Sequence, residues 1–153
     1  MSKFFKSLEK IAPVALRYGM GIVILWFSSQ QFLHTDSWTA YVPDSVVAMT
    51  GFSATVFVYV NAVFELVFGL MMVFGIQTRL SALLLGLHLL DIMWVVGYGE
   101  IGVRDFGLAI ATLVVFMNGP DTLCLDFKEK IIDKTLKNIT QQTQTAPKII
   151  VNS

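Results

Sequence analysis

Long apolar runs separated by short polar breaks dominate the chain: residues 14–33, 52–74, 80–96 and 103–118 each read as one continuous hydrophobic stretch. A helix needs roughly 20 mainly apolar residues to cross ~30 Å of hydrocarbon, so these runs predict four transmembrane helices, the last two of them short. Barrel strands would alternate apolar and polar positions in brief segments, and these runs do not. The link GIQTR, residues 75–79, is too short for anything but a tight reversal, which makes the second and third spans antiparallel neighbours. Gly119 and Pro120 end the fourth. The expected fold is an all-α integral membrane protein, a four-helix antiparallel transmembrane bundle over residues 14–118.

Composition agrees with the pattern. Of 153 residues, 55% are hydrophobic and 14% charged, and a mean hydropathy of +0.67 leaves too little polar surface to cover a soluble globule. Charge placement adds direction. Lys3, Lys6, Lys10 and Arg17 precede or open the first span, Arg79 lies in the short link, and Lys128, Lys130, Lys134, Lys137 and Lys148 follow the fourth. The opposite side holds His34, Asp36, Asp44 and Glu100, with Arg104 as its basic residue. The positive-inside rule then expects a multi-pass inner-membrane protein with both termini cytoplasmic. The net charge of zero is the sum of a basic inner side and an acidic outer one and says nothing about nucleic acid; the expected contacts are membrane lipid, with no nucleic-acid partner.

The flanking segments have their own patterns. Residues 1–13 interleave Phe4, Phe5, Leu8 and Ile11 with lysines, as a short interfacial helix does, and Pro13 opens the first span. That span lacks a small-residue cleavage site and reads as an uncleaved anchor. The external loop, with Trp38, Tyr41 and Val42 before Pro43, is expected to be half-buried or to form a short interfacial helix held by its rings. Within residues 119–153, Leu125, Phe127, Ile131, Ile132, Leu136 and Ile139 mark one side of a charged cytoplasmic helix over 126–141, followed by a disordered tail. The single Cys124 excludes an internal disulfide and a CxxC redox pair.

Candidate chemistry sits inside the apolar runs. Arg17, Ser28 and Gln31 recur at helical spacing on one face of the first span. Asn61 and Glu65 stand four residues apart in the second, His88 and Asp91 three apart in the third, and each pair shares a helix face. At about 1.5 Å of rise per residue, Glu65, His88 and Asp91 all come to a depth of roughly 12 to 17 Å. Arg104 and Asp105 lie slightly nearer the outer side. A lone ionised carboxylate is too costly in hydrocarbon, so each acid must pair, face a hydrated cavity or keep its proton. Arg104 can pair with Asp105, Asp91 or Glu65, and Glu65 with His88 is the pair placed to share a proton.

Two interpretations of the cluster stand side by side. In one, Asn61, Glu65, His88, Asp91, Arg104 and Asp105 form an intramembrane pocket that handles protons or binds a polar head such as a quinone ring. In the other they brace the helices and set their register. No Glu-x-x-His pair and no second membrane histidine is present to hold a metal or haem, and no catalytic residue or intrinsic cofactor is expected.

The stretches ALRYGMGIVILWFSSQQF, NAVFELVFGLMMVFGIQTRLSALLL and VRDFGLAIATLVVFMNGPDTLCLD bring a known pattern into view. A helix with Arg and Gly, a helix with Glu then Gly, a G-x-x-T-R turn, an Arg-Asp opening and a Gly-Pro followed by Leu-Asp resemble the DoxX family over about residues 14–127. Arg17, Glu65, Arg79, Arg104 and Asp105 match its polar pattern, and His88 and Asp91 match it less closely. The resemblance implies a small accessory subunit of a membrane oxidoreductase complex linked to quinone, associated with other subunits or with copies of itself. A structural or assembly subunit and a proton-coupled small-solute transporter are the alternatives the residues leave open.

Overall fold

The computed structural model describes residues 2–145. Every regular element among them is a helix: α1 (Ser2–Leu33), α2 (Thr35–Thr39), α3 (Asp44–Thr50), α4 (Ala54–Phe74), α5 (Thr78–Val96), α6 (Glu100–Asn118) and α7 (Leu125–Thr145). Three are long and apolar enough to cross a membrane, over Ser7–Leu33, Ala54–Phe74 and Thr78–Val96. The chain is thus an all-helical, multi-pass membrane protein with three candidate spans. The fourth expected span, 103–118, lies inside the 19-residue α6. Glu100, Arg104 and Asp105 lie in its opening turns.

Sequence pattern and helix boundaries part company at the N-terminal side. The segment before Pro13 does not form a helix of its own; α1 runs unbroken through Pro13. Proline removes one backbone hydrogen bond and crowds one carbonyl. A helix of 32 residues bridges such a local defect. The external loop folds into α2 and α3, and Gly51 ends α3 with φ +73°. Residues 142–145, expected in the disordered tail, are the last turn of α7; the remaining tail, 146–153, lies outside the described residues.

Helix α1 packs along α4 and α5 along α6, whereas the two pairs meet over much less surface, through α4 with α5 and α1 with α6. Met20 and Ile24, Met72, Ala82, Leu85 and Leu89, and Ala109 and Val115 build the buried core from all four helices. Close approach within the first pair depends on Gly21, where a Cβ would stand 2.6 Å from the Val73 side chain. Val60, Leu87 and Met117 point outward and are exposed, as side chains solvated by lipid should be. Two tightly packed pairs joined loosely leave room between them.

Candidate functional site

That room is a cleft of about 560 Å³ between the helix pairs. Trp26, Phe27 and Gln31 of α1, Asn61 and Glu65 of α4, His88 and Asp91 of α5, and Arg104 and Asp105 of α6 all line it. Trp38, Tyr41, Pro43 and Val46, contributed by α2, α3 and the link between them, complete its wall. All six residues of the sequence-derived pocket therefore reach one space, and Gln31, read from the sequence only as a helix-face residue, joins them.

The carboxylate of Glu65 is at the centre, with 2% of the residue exposed. Gln31 Nε2 donates to its Oε2 at 2.7 Å. Asn61 Nδ2 donates to its Oε1 at 3.1 Å and to Gln31 Oε1 at 2.8 Å. Two neutral amides from two helices thus hold the acid in place, and the four-residue spacing of Asn61 and Glu65 is what lets one side chain serve the other. Three residues before Gln31, Ser28 Oγ donates to the Ala62 carbonyl at 2.8 Å and ties α1 to α4.

His88 approaches from the other pair. Its Nε2 lies 3.8 Å from Glu65 Oε1, beyond hydrogen-bond length. That nitrogen is buried and has no hydrogen-bond partner, while the ring packs on Phe64 with centroids 4.7 Å apart. A buried imidazole nitrogen left unpaired is costly. The gap between it and the carboxylate is the one incomplete contact of the cluster. Arg104 chooses its neighbour: Nε donates to Asp105 Oδ1 at 2.7 Å, and the guanidinium lies 4.7 Å from the centre of the Phe27 ring. Asp91 lines the cleft as an exposed residue and forms no ion pair among the described residues. No group of three or more His, Cys, Asp or Glu among the described residues is arranged to hold a metal.

Arg17 does not belong to this cleft. It sits at the opposite end of the molecule, where Nε and Nη2 donate to the two oxygens of Asp121 at 2.6 and 3.2 Å. Its Nη1 donates to the carbonyls of Met72 and Val73 at 2.8 and 2.6 Å at the end of α4; the Met72 carbonyl also accepts from the Gly75 N–H at 3.3 Å. Beside it, the Asp126 carboxylate accepts from the amides of Gln77 and Thr78 at 2.8 and 2.7 Å and from Thr78 Oγ1 at 3.0 Å, capping α5. Gly75 makes this approach possible: with φ +69°, a Cβ there would lie 2.5 Å from the Cys124 Cα. Burial pushes the Asp121 carboxyl upward, but the Arg17 and Leu123 hydrogen bonds and the Arg17 charge outweigh it and hold the pKa below its ordinary value.

Sequence reasoning missed the roles of Asp121 and Asp126. The signal was the G-x-x-T-R turn and the downstream Leu-Asp, noted separately. In the folded chain Gly75, Thr78, Leu125 and Asp126 are two halves of one joint.

The sequence profile of the DoxX family matches residues 12–98, which run from α1 to just past α5 and stop before α6. The likeness noted over residues 99–127 lies beyond that segment. No curated protein and no solved structure matches the chain. With more than half of its length matched, this chain belongs to the DoxX family of small membrane proteins.

Proposed function

We propose that the protein is a small subunit of a membrane-bound oxidoreductase complex and that its cleft takes the ring of a quinone. The observation that carries this is the buried, unpartnered Nε2 of His88 facing Glu65 across 3.8 Å. A mainly apolar cleft with a few convergent polar groups suits a flat ring with a carbonyl at its edge. A carbonyl oxygen reaching His88 Nε2 from the cleft, beside the gap, would accept from it. Reduction to quinol consumes two electrons and two protons; a redox-active partner subunit supplies the electrons, Glu65 and His88 pass protons, and Asp91 at the exposed side restores them from water.

The same proposal makes α6 a fourth span of an antiparallel bundle, with both termini cytoplasmic. Supporting it, the Arg17 joint gathers the end of α4, the start of α5 and the segment after α6 at one level, against the middle of α1. The Arg104–Asp105 pair lowers the cost of carrying those charges into the bilayer.

The test is to extract the tagged protein in mild detergent, identify co-purifying subunits by mass spectrometry and extract bound quinone. A flavin, haem or copper subunit arriving with quinone is the expected result, with Glu65→Gln lowering coupled turnover while the complex persists. A colourless homo-oligomer without quinone, or unchanged turnover in Glu65→Gln, overturns it. The exposed Ile131, Ile132 and Leu136 on α7 favour a second role in assembly, in which truncating α7 abolishes association while Glu65→Gln leaves it intact.

A further inference from the structure

We infer that the cleft also binds amphipathic organic cations, ring-bearing ammonium or phosphonium ions in particular. Its charges do not balance. Of the groups lining it, Asp105 and Arg104 neutralise one another at 2.7 Å. Glu65 and Asp91 remain, against a single imidazole. Both oxygens of Glu65 accept from amide N–H groups, and neither is paired with a cation within hydrogen-bond length.

Facing this excess is an aromatic wall. Trp26 and Phe27 have centroids 5.3 Å apart, Phe27 and Trp38 6.2 Å, and Trp38 and Tyr41 6.1 Å, all meeting edge to face. Aromatic faces attract cations through their quadrupole, and more strongly away from water. The wall already carries one: the Arg104 guanidinium over Phe27. An organic cation lying beside it, with its charge toward Glu65, would use the same chemistry in the unfilled part of the cleft.

His88, at 3.8 Å, is the nearest group able to compensate Glu65. The other titratable and charged groups lining the cleft are Asp91 on its own helix, Arg104 and Asp105 on α6, and Tyr41 beyond α2; α1 contributes none. An organic cation in the cleft could approach the Glu65 carboxyl more closely than the imidazole does. This inference does not rest on quinone binding, and the two fail separately: quinone retention is read by extraction, cation binding by the titration below.

The experiment uses the full chain in neutral detergent, titrated with tetraphenylphosphonium and, in parallel, with uncharged triphenylphosphine oxide. Quenching of tryptophan fluorescence reports occupancy. Saturable phosphonium binding is expected. Glu65→Gln should weaken it by about tenfold or more, the scale of a lost close charge contact. Asp91→Asn, at an exposed position, and Trp38→Ala should each weaken it less, and they keep the test alive if the Glu65 variant does not fold. Equal affinity for the uncharged oxide, or undiminished phosphonium affinity in the folded variants, overturns the inference.

Discussion

The molecule holds two buried polar clusters built from similar residue types, and they are finished to different degrees. Around Arg17, every strong donor has an acceptor: both Asp121 oxygens, two helix-end carbonyls and, alongside, a capping aspartate. Around Glu65, neutral amides satisfy the carboxylate, but the one group of opposite potential charge stops short at 3.8 Å and keeps a bare nitrogen. The first cluster joins four chain segments; the second borders a cleft of about 560 Å³. Satisfied networks stabilise a fold, whereas functional sites tolerate unsatisfied groups at the expense of stability. The contrast gives the Arg17 end the geometry of a brace and is what the proposed function of the Glu65 end rests on, and it breaks if mutations at the two ends cost the same.

The largest loss should come from Arg17→Met. Removing one member of a buried ion pair leaves the other charge uncompensated, a cost of about 3–5 kcal/mol, and here the Val73 carbonyl loses its donor and the Met72 carbonyl one of its two. Denaturation of the purified protein in detergent measures it, and the Arg17→Met/Asp121→Leu double variant should recover part of the loss. The pair also imposes a pH dependence. With the folded pKa of Asp121 held below the ordinary 3.8, its contribution is complete above that value and is lost as pH falls through the lower folded value. Asp121→Asn should flatten this acid limb of the melting profile; an unchanged limb would assign acid sensitivity to other carboxylates.

Next in size is Gly75→Ala. A methyl group there meets the Cys124 backbone at 2.5 Å and sits on a residue with φ +69°, so backbone strain alone is expected to cost about 1–3 kcal/mol. Asp126→Ala follows at about 0.5–2 kcal/mol, the range for a lost helix cap. Urea or thermal titrations that rank the three variants in this order support one joint with unequal members. An Asp126→Ala effect as large as that of Arg17→Met would make the cap its centre.

These same contacts mark where sequence stops being legible. The apolar runs found the cores of α4, α5 and α6, because solvation by lipid is written in composition. The spacing of Asn61 with Glu65 and of His88 with Asp91 placed each pair on one face, because helical period is local. Arg17 was recognised as a polar position on α1, but its partner is 104 residues away, and no periodicity reports on a contact at that distance. Gln31 was likewise visible as a polar face, yet its bond to Glu65 depends on how deep α1 slides along α4. The continuation of α1 through Pro13 and the short helices bordering the cleft are tertiary outcomes that local preference does not decide.

The smallest effect, and the most informative, should be that of Glu65→Gln on stability. The substituted amide keeps the shape of the side chain and retains an oxygen to accept from Gln31 or Asn61, while the buried charge and its desolvation cost disappear. Its N–H groups can also donate across the gap toward His88 Nε2 in the neutral, accepting tautomer. The gains and losses should cancel to within about 1 kcal/mol, the range of near-isosteric buried polar changes whose partners remain satisfied. Measured under the same denaturing conditions as Arg17→Met, such a near-neutral result would show that the fold does not need the Glu65 charge. Its presence in an apolar setting would then be explained by what enters the cleft. A loss comparable to that of Arg17→Met would instead make both clusters braces and remove the physical basis for a ligand at His88.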